Sequence, residues 1–532
     1  MGNVSTLRCF AILLVFLGFL IRHRSSAEKV LLVPAPIGGH SHWMALAKIG
    51  RALVNRGHIV TVVISEDIVG EWQAEWPEFQ FEAFKDGGTR AKNQALLDQA
   101  YSATGELSPY EIGKVFWATV AYGSKQYCTL LLEERSLVDR LRASQYSVVI
   151  SDPMFPCGAV LSAHLDSRVP HIAVLRTDSN ALDLKATGVP PPLPYTPCFR
   201  ADFTETSFLQ RLQNFVLFTV GPETERWVAR KNYNGLVRKY IGEKETILSV
   251  TSRTDLWLYQ TDNVLDYPCP IMPNMVQVGG LNVREAVPLT EDMEAFVQSS
   301  GDDGVIVVSF GSMVKTMSTE RSEILAAAFA RLRQKVVWRY VGEKPTGLGN
   351  NTKLLAWLPQ NDLLAHPKTR AFITHAGSNG LYEALHHGVP MVCLPLGAGD
   401  QYPNAARVVA RGLGVKLDFY TVTDEQLYRA ILHVVTNNSY RETAARLSRL
   451  HRDQPQPPME RAVWWIEHVI KHGGLPHLRA RAVELPWYQY YLLDVAAFLL
   501  AVCLAVLGTV WCSCSFICGK VCCKSGGKLK SQ

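Results

Sequence analysis

WLPQNDLLAHPKTRAFITHAGSNGLYEALHHGVPMVCLPLGAGDQ, residues 357–401, is the stretch whose reading decides the fold. Its centre reads as a buried strand, Ala371–Thr374, then a turn at His375–Gly377, then a helix to about His387. A Gly388-Val-Pro390 break follows, and after it a second apolar strand, Met391–Leu394. A strand that passes through a glycine turn into a helix N-terminus builds an anion site. Unpaired N–H groups and the positive end of the helix dipole face the same point there. Gly377, Ser378 and Asn379 supply those N–H groups, and Gly377 lets a phosphate approach the backbone closely. Glu383, two turns into the helix, suits the two hydroxyls of a ribose, and Trp357 offers a flat face to a base.

The same alternation recurs upstream. Lys29–Val33 is a strand, a turn over 38–42 opens a helix with apolar Met44, Leu46, Ile49 and Leu53, and His58–Ile64 is the next strand. That βαβ opening predicts a parallel, doubly wound sheet. Ser147–Ser151 is another buried strand, ending at Asp152-Pro153, and residues 70–145 are mixed, with several helical stretches and no glycine fingerprint. Pro190–Pro194 reads as a stiff surface loop, with helical material to about Lys244 and a strand near Asp255–Gln260. The prolines of Tyr267–Pro273 and the pair Gly279-Gly280 approach a boundary, with a linker around 282–300. A second unit begins with the strand Gly304–Phe310, the turn Gly311-Ser312, the helix Thr319–Leu332 and the strand Val336–Val341. Two such units facing across a cleft bring His42, Asp152, Ser312 and His375 to the carboxyl ends of strands, where ligands bind.

His42 has the imidazole chemistry to take a proton near neutral pH, and Asp152 could fix its tautomer as a carboxylate does in a triad. A capping histidine and a turn aspartate fit the same positions. His40 and His42 are too few ligands for zinc, and Asp302-Asp303 read as a turn rather than a metal-holding motif, so no metal is expected.

A length of 532 residues predicts two domains plus extras, and 48% hydrophobic with 19% charged residues excludes a disordered chain. The net charge of +6 is matched by seven cations at the two ends, Arg8, Arg22, Arg24, Lys520, Lys524, Lys528 and Lys530. The body between them is therefore near neutral, and nucleic-acid binding is not expected. Phe10–Ile21 followed by Ser25-Ser26-Ala27 predicts a signal peptide, 1–27, and uncharged Val495–Ile517 a membrane span. Trp487, Tyr488, Tyr490 and Tyr491 precede the span as an aromatic belt, and lysines follow it. Lys528 and Lys530 look like a dilysine retrieval signal. Cys503, Cys512, Cys514, Cys518, Cys522 and Cys523 suit palmitoylation, while Cys128, Cys157, Cys198, Cys269 and Cys393, an odd five, exclude a disulfide scaffold. Asn350-Asn-Thr352 and Asn437-Asn-Ser439 are glycosylation sequons.

Residues 357–401 resemble the nucleotide-sugar signature of the UDP-glycosyltransferases, and the chain as a whole is most similar to the membrane-anchored animal UDP-glucuronosyltransferase branch. SHWM (41–44), YPCPIMPNMVQVGGLN (267–282), VVSFGSMV (307–314), VVWRY (336–340) and DQPQPPMERAVWWIEHV (453–469) carry the likeness. The resemblance implies a GT-B α/β fold: a 28–285 acceptor domain and a 286–450 UDP-sugar domain, both Rossmann-like. Helices crossing back and a membrane-proximal segment would occupy 451–490, the transmembrane helix 491–518 and a cytoplasmic tail 519–532. It implies His42 and Asp152 as the catalytic pair, Trp357, Gln360 and Arg339 on the uridine, and Glu383 on the ribose. Ser312 and His375 would serve the diphosphate, and Asp400 and Gln401 the sugar hydroxyls.

Two departures bear on the sugar. Between Pro395 and Asp400 the chain has Leu-Gly-Ala-Gly, one residue more than the family places there, which could shift Asp400. Cys269 stands where glucuronosyltransferases commonly carry arginine, which weakens a carboxylate-bearing sugar. The expectation is inverting transfer of a hexose, glucuronic acid favoured, from a UDP-sugar co-substrate to a small lipophilic alcohol, with no permanent cofactor. It places the enzyme in the endoplasmic reticulum membrane, type I, with its domains lumenal. A hexosyltransferase acting on ceramide or sterol, and a non-catalytic nucleotide-binding relative, are the alternatives. Nothing in the chain decides between a monomer and a homo- or hetero-oligomer.

Overall fold

The computed structural model describes residues 27–36, 40–175, 181–190, 207–397 and 399–524. The signal peptide other than Ala27, the Gly38-Gly39 turn, residues 191–194 of the proline loop, Cys198, Ala398 and the dilysine tail lie outside the described residues.

Buried β-branched runs make two all-parallel sheets. The first contains β1 (Lys29–Val33), β2 (Ile59–Ser65), β3 (Gln80–Phe84), β4 (Val148–Ser151), β5 (His171–Leu175), β6 (Leu256–Tyr259) and β7 (Met275–Gln277). Its order is β3-β2-β1-β4-β5-β6-β7. The second contains β8 (Val305–Ser309), β9 (Lys335–Arg339), β10 (Thr352–Leu355), β11 (Thr369–Thr374), β12 (Met391–Cys393) and β13 (Gly414–Lys416), in the order β10-β9-β8-β11-β12-β13. Each sheet reverses direction of winding at one seam, between β1 and β4 in the first and between β8 and β11 in the second. At such a switch point the connections leave on opposite faces and open a crevice at the strand ends.

The helix expected after β1 runs His40–Asn55, so His42 lies within its first turn rather than in the loop before it. Trp43 beside it is 2% exposed, stacks on Trp72 at 4.0 Å between ring centroids and meets Trp76 edge-on at 5.9 Å. Four apolar side chains of the helix Pro458–His472 (Ala462, Val463, Ile466 and Val469) fill the core under that same helix. The late helices therefore cross back onto the first lobe.

A second apolar cluster ignores the boundary between the halves. Leu97, Tyr101, Ile112, Phe116 and Val120, from helices Thr89–Ser102 and Pro109–Ala118 and the π-helical turn after them, pack with Phe310, Val314, Met317, Leu325 and Phe329 of the second lobe. Helix Pro109–Ala118 starts with a capping box: Ser108 accepts from the Glu111 N–H and Glu111 takes the Ser108 N–H in return.

Cys128 and Cys157 form a disulfide, a pair the odd cysteine count did not predict. Asn350 is exposed, while Asn437 caps helix Asn438–Arg452 by accepting the Ser439 N–H at 3.1 Å. Residues Ala480 onward form a separate unit. Its helix Leu493–Lys524 contains a 28-residue stretch, Leu493–Lys520, within which an 18-residue window reaches a mean hydropathy of 2.5, long and apolar enough to cross a bilayer.

Candidate active site

Both switch points open onto one cavity of about 1050 Å³ between the two sheets. From the first lobe, the first turn of helix His40–Asn55 delivers His42 and the turn after β4 delivers Asp152. His42 Nδ1 and Asp152 Oδ2 are 2.5 Å apart. The other carboxylate oxygen of Asp152 accepts the Met154 N–H at 2.9 Å, which leaves Oδ2 aimed at the ring. Both side chains are largely buried yet line the cavity, so the pair is held out of bulk water but faces a molecule bound there.

From the second lobe, β8 ends at Gly311-Ser312 and β11 at His375. The His375 ring fits between two glycines. A Cβ on Gly311, whose φ is +79°, would stand 2.7 Å from the ring, and one on Gly377 would stand 2.4 Å from His375 Nε2. Ala376 between them has φ of +65°, a left-handed conformation that costs a non-glycine residue about 1–2 kcal/mol. Thr374 Oγ1 accepts its N–H at 3.2 Å, and its C=O accepts from Asn404 Nδ2 at 2.9 Å. The backbone at the mouth of helix Ser378–His387 is thus over-determined from both sides.

Gln360 Nε2 donates to Glu383 Oε2 at 2.6 Å. Burial pushes the Glu383 carboxyl upward, opposed by the Gln360 hydrogen bond and by the charges of Lys48 and Arg284. Arg339 donates to the Gly311 C=O and sets its guanidinium 5.2 Å from the centroid of Trp357, which is 61% exposed with its face at the cavity edge. Asp400 accepts from the Ser378 hydroxyl and, at 3.0 Å, from Asn404 Nδ2.

All the residues expected at the site line this cavity except Ser378, which is 2% exposed and turned inward to Asp400. Its N–H still opens the helix. The loop with the additional residue is anchored twice at Leu396, whose N–H goes to Gln401 Oε1 at 2.8 Å and whose C=O accepts the Tyr420 hydroxyl at 2.5 Å. Gly399, with φ of +85°, turns the chain back so that Asp400 still reaches the cavity. Gln401 spends its carbonyl on this loop, which the sequence did not suggest. Cys269 is exposed in the connection between β6 and β7 and is not among the residues lining the cavity.

Sequence reasoning missed the groups that join the lobes. Lys48 Nζ donates to the Asn282 C=O at 2.6 Å, and Asn282 Nδ2 donates to Asn379 Oδ1 at 3.0 Å. Burial lowers the Lys48 pKa, with the Glu383 carboxylate working against it. Arg284 holds Asp362 with two bonds, 2.8 and 2.5 Å. A lone lysine inside the apolar turn Ala45–Ile49 was the available signal. The apolar end of the cavity is lined by Phe116, Trp117, Met154, Phe310, Met313 and Val314. Among the described residues no group of three His, Cys, Asp or Glu side chains could hold a metal ion.

Residues 28–528 match the family described as UDP-glucoronosyl and UDP-glucosyl transferase. The chain is 39% identical over 514 residues to UDP-glucuronosyltransferase 1-2 of Rattus norvegicus, covering 95% of this chain and 94% of that one. It is also 39% identical over 501 residues to UDP-glucuronosyltransferase 2C1 of Oryctolagus cuniculus, covering 92% and 99%. Among solved structures, the kitacinnamycin glycosyltransferase superposes with a TM-score of 0.57 at 18% identity, covering 84% of this chain and all of that one. A calicheamicin glycosyltransferase gives 0.53 at 19%, covering 84% and 99%. At those identities the structural likeness concerns the fold, two Rossmann-like lobes in the GT-B arrangement.

Proposed function

The chain belongs to the UDP-glucuronosyl and UDP-glucosyl transferase family, and from that premise we propose how it transfers a hexose from a UDP-sugar to a small acceptor. The single observation that carries the proposal is the 2.5 Å contact between His42 and Asp152 on the wall of the cavity. Asp152 keeps the proton on Nδ1, so Nε2 is the basic nitrogen available to an acceptor hydroxyl. As Nε2 takes the hydroxyl proton, the acceptor oxygen bonds to the anomeric carbon and the bond from that carbon to the diphosphate oxygen breaks. UDP leaves on the opposite face, so the anomeric centre inverts. The negative charge gathering on UDP is met by the N–H groups at Gly377–Asn379 and by His375, fixed dipoles that need no reorganisation. Trp357, Arg339 and Gln360 would hold the uridine, Glu383 the ribose, Ser312 a phosphate, and Asp400 with Gln401 the hexose.

Glucuronic acid is the favoured sugar, as in the names of the relatives, and the apolar wall from Phe116 to Val314 suits a lipophilic alcohol. UDP-glucose or UDP-galactose is the second reading, because the family description also names glucosyl transfer, and competition between UDP-sugars separates the two. We further propose a type I placement in the endoplasmic reticulum, body in the lumen. The Cys128–Cys157 disulfide supports an oxidising compartment, and the apolar helix from Leu493 with lysines beyond it supports the orientation. Protection of the body from added protease in sealed microsomes tests this.

The catalytic assignment is tested by His42→Ala. Turnover should fall by about 10² to 10⁴-fold, the usual worth of a general base, while UDP binding is unchanged. Turnover near the native value would remove His42 from the role.

A further inference from the structure

The wall of the cavity beside Asp400 is not made by the second lobe alone. Tyr101 is the penultimate residue of helix Thr89–Ser102, in the first half of the chain. Its ring is 5% exposed and packs in the cluster that holds Phe310, Val314 and Phe419 of the second lobe. Backbone ties keep it there. The Thr104 hydroxyl donates to the Tyr101 C=O at 2.5 Å, and the Thr104 C=O accepts the Ser318 N–H from the other lobe at 3.0 Å. Gly105 comes so close that a Cβ would stand 2.5 Å from Ser318 Oγ.

The same side chain lines the cavity together with Asp400 and Gln401. Its hydroxyl is not among the sealed polar atoms and has no hydrogen bond to a described residue. Burial, reinforced by the Asp400 carboxylate, pushes the phenol up to about 12, so it remains a neutral donor. Asp400 can only accept. A hexose hydroxyl that donates to it has oxygen lone pairs left over, and the phenol is the complementary donor within the same walls.

We propose that Tyr101 is a sugar-binding residue whose hydroxyl donates to an oxygen of the transferred hexose, so that the donor-sugar subsite is built by both lobes. The inference rests on the reading that Asp400 holds the sugar. A neutral phenol accepts either a hydroxymethyl or a carboxylate at C6, so this contact tolerates both classes of UDP-hexose.

The test compares Tyr101→Phe and Asp400→Asn in the full-length, membrane-embedded enzyme, with a UDP-sugar, a phenolic acceptor and UDP as inhibitor. Tyr101→Phe keeps the ring and its packing, and its melting temperature is measured alongside. Loss of one hydrogen bond should raise KM for the UDP-sugar by about five- to tenfold. Inhibition by UDP, which has no hexose, should stay at the native value, and kcat should change far less than KM. An unchanged KM in Tyr101→Phe overturns the inference, as does a weakening of UDP inhibition in step with KM. If Asp400→Asn raises KM while Tyr101→Phe does not, only the shared subsite fails. If neither does, the assignment of the sugar to Asp400 fails with it.

Discussion

Glycine at 377 is decided by its neighbour. Its φ of −69° is open to any residue, so backbone conformation does not require glycine there; the His375 ring, 2.4 Å from where a Cβ would stand, does. Gly377→Ala should therefore fold normally yet expel the imidazole from its slot. A drop of about tenfold or more in kcat, measured with a melting temperature close to native, is the expected result. A buried histidine outside the site gives a stability prediction. His171 lies between the Ser151 and Thr254 hydroxyls, each 2.8 Å away, and burial followed by the Arg479 charge lowers its pKa to about 3. The folded state keeps this ring neutral, whereas the unfolded chain binds a proton below about 6.5. Its contribution is thus complete above pH 6.5 and is lost as pH falls from there towards 3. Between pH 7 and pH 5 this amounts to about 2 kcal/mol. Thermal melting across that range should show the loss, and His171→Gln should flatten it. His42, Asp152 and His375 were legible because strand–turn–helix patterns name the residue at each strand end. Lys48, Asn282 and Tyr101 were not, since what they touch lies hundreds of residues away or in the other lobe.

The long apolar strands and the two glycine turns were readable as elements, and the switch points that gather the site followed from their alternation. β3, β5, β7, β10 and β13 were not singled out. All but β5 are sheet-edge strands, some only partly buried; β5 is a central, fully buried run of five residues, and every one of the five is too short to show a period. The helix holding Tyr101 was visible only as mixed helical material, because its apolar face is set by contacts with another lobe rather than by its own sheet. One covalent link acts at this scale. Cys157 opens the helix Cys157–Leu165 a few residues after Asp152, and its bond to Cys128 spans a sequence separation of 29. Closing a loop of that size limits the unfolded chain by about 3 kcal/mol. Serine at both cysteines should lower the melting temperature accordingly and, if Asp152 serves the acceptor as proposed, cut turnover more than UDP affinity.

For the molecule as a whole, the GT-B architecture was in the sequence, and through the resemblance so was the helix that returns to the first lobe; the other joints between the halves were not. Lys48 with Asn282, Arg284 with Asp362, and the helix Pro458–His472 with the first lobe all cross between segments far apart in the chain. The largest crossing is the cluster in which Leu97, Tyr101, Ile112 and Phe116 sit among Phe310, Val314 and Leu325. Side chains so placed make each half a partial template for the other, like two pieces of a puzzle cut through the picture rather than along its border. A chain severed in the exposed stretch near Glu285 and supplied as two separately translated polypeptides, 1–285 and 286–532, should then reassociate and regain UDP-sugar turnover. Ile112→Ala, which removes one tooth of that joint without touching the cavity wall, should weaken the recovery before it weakens the intact enzyme.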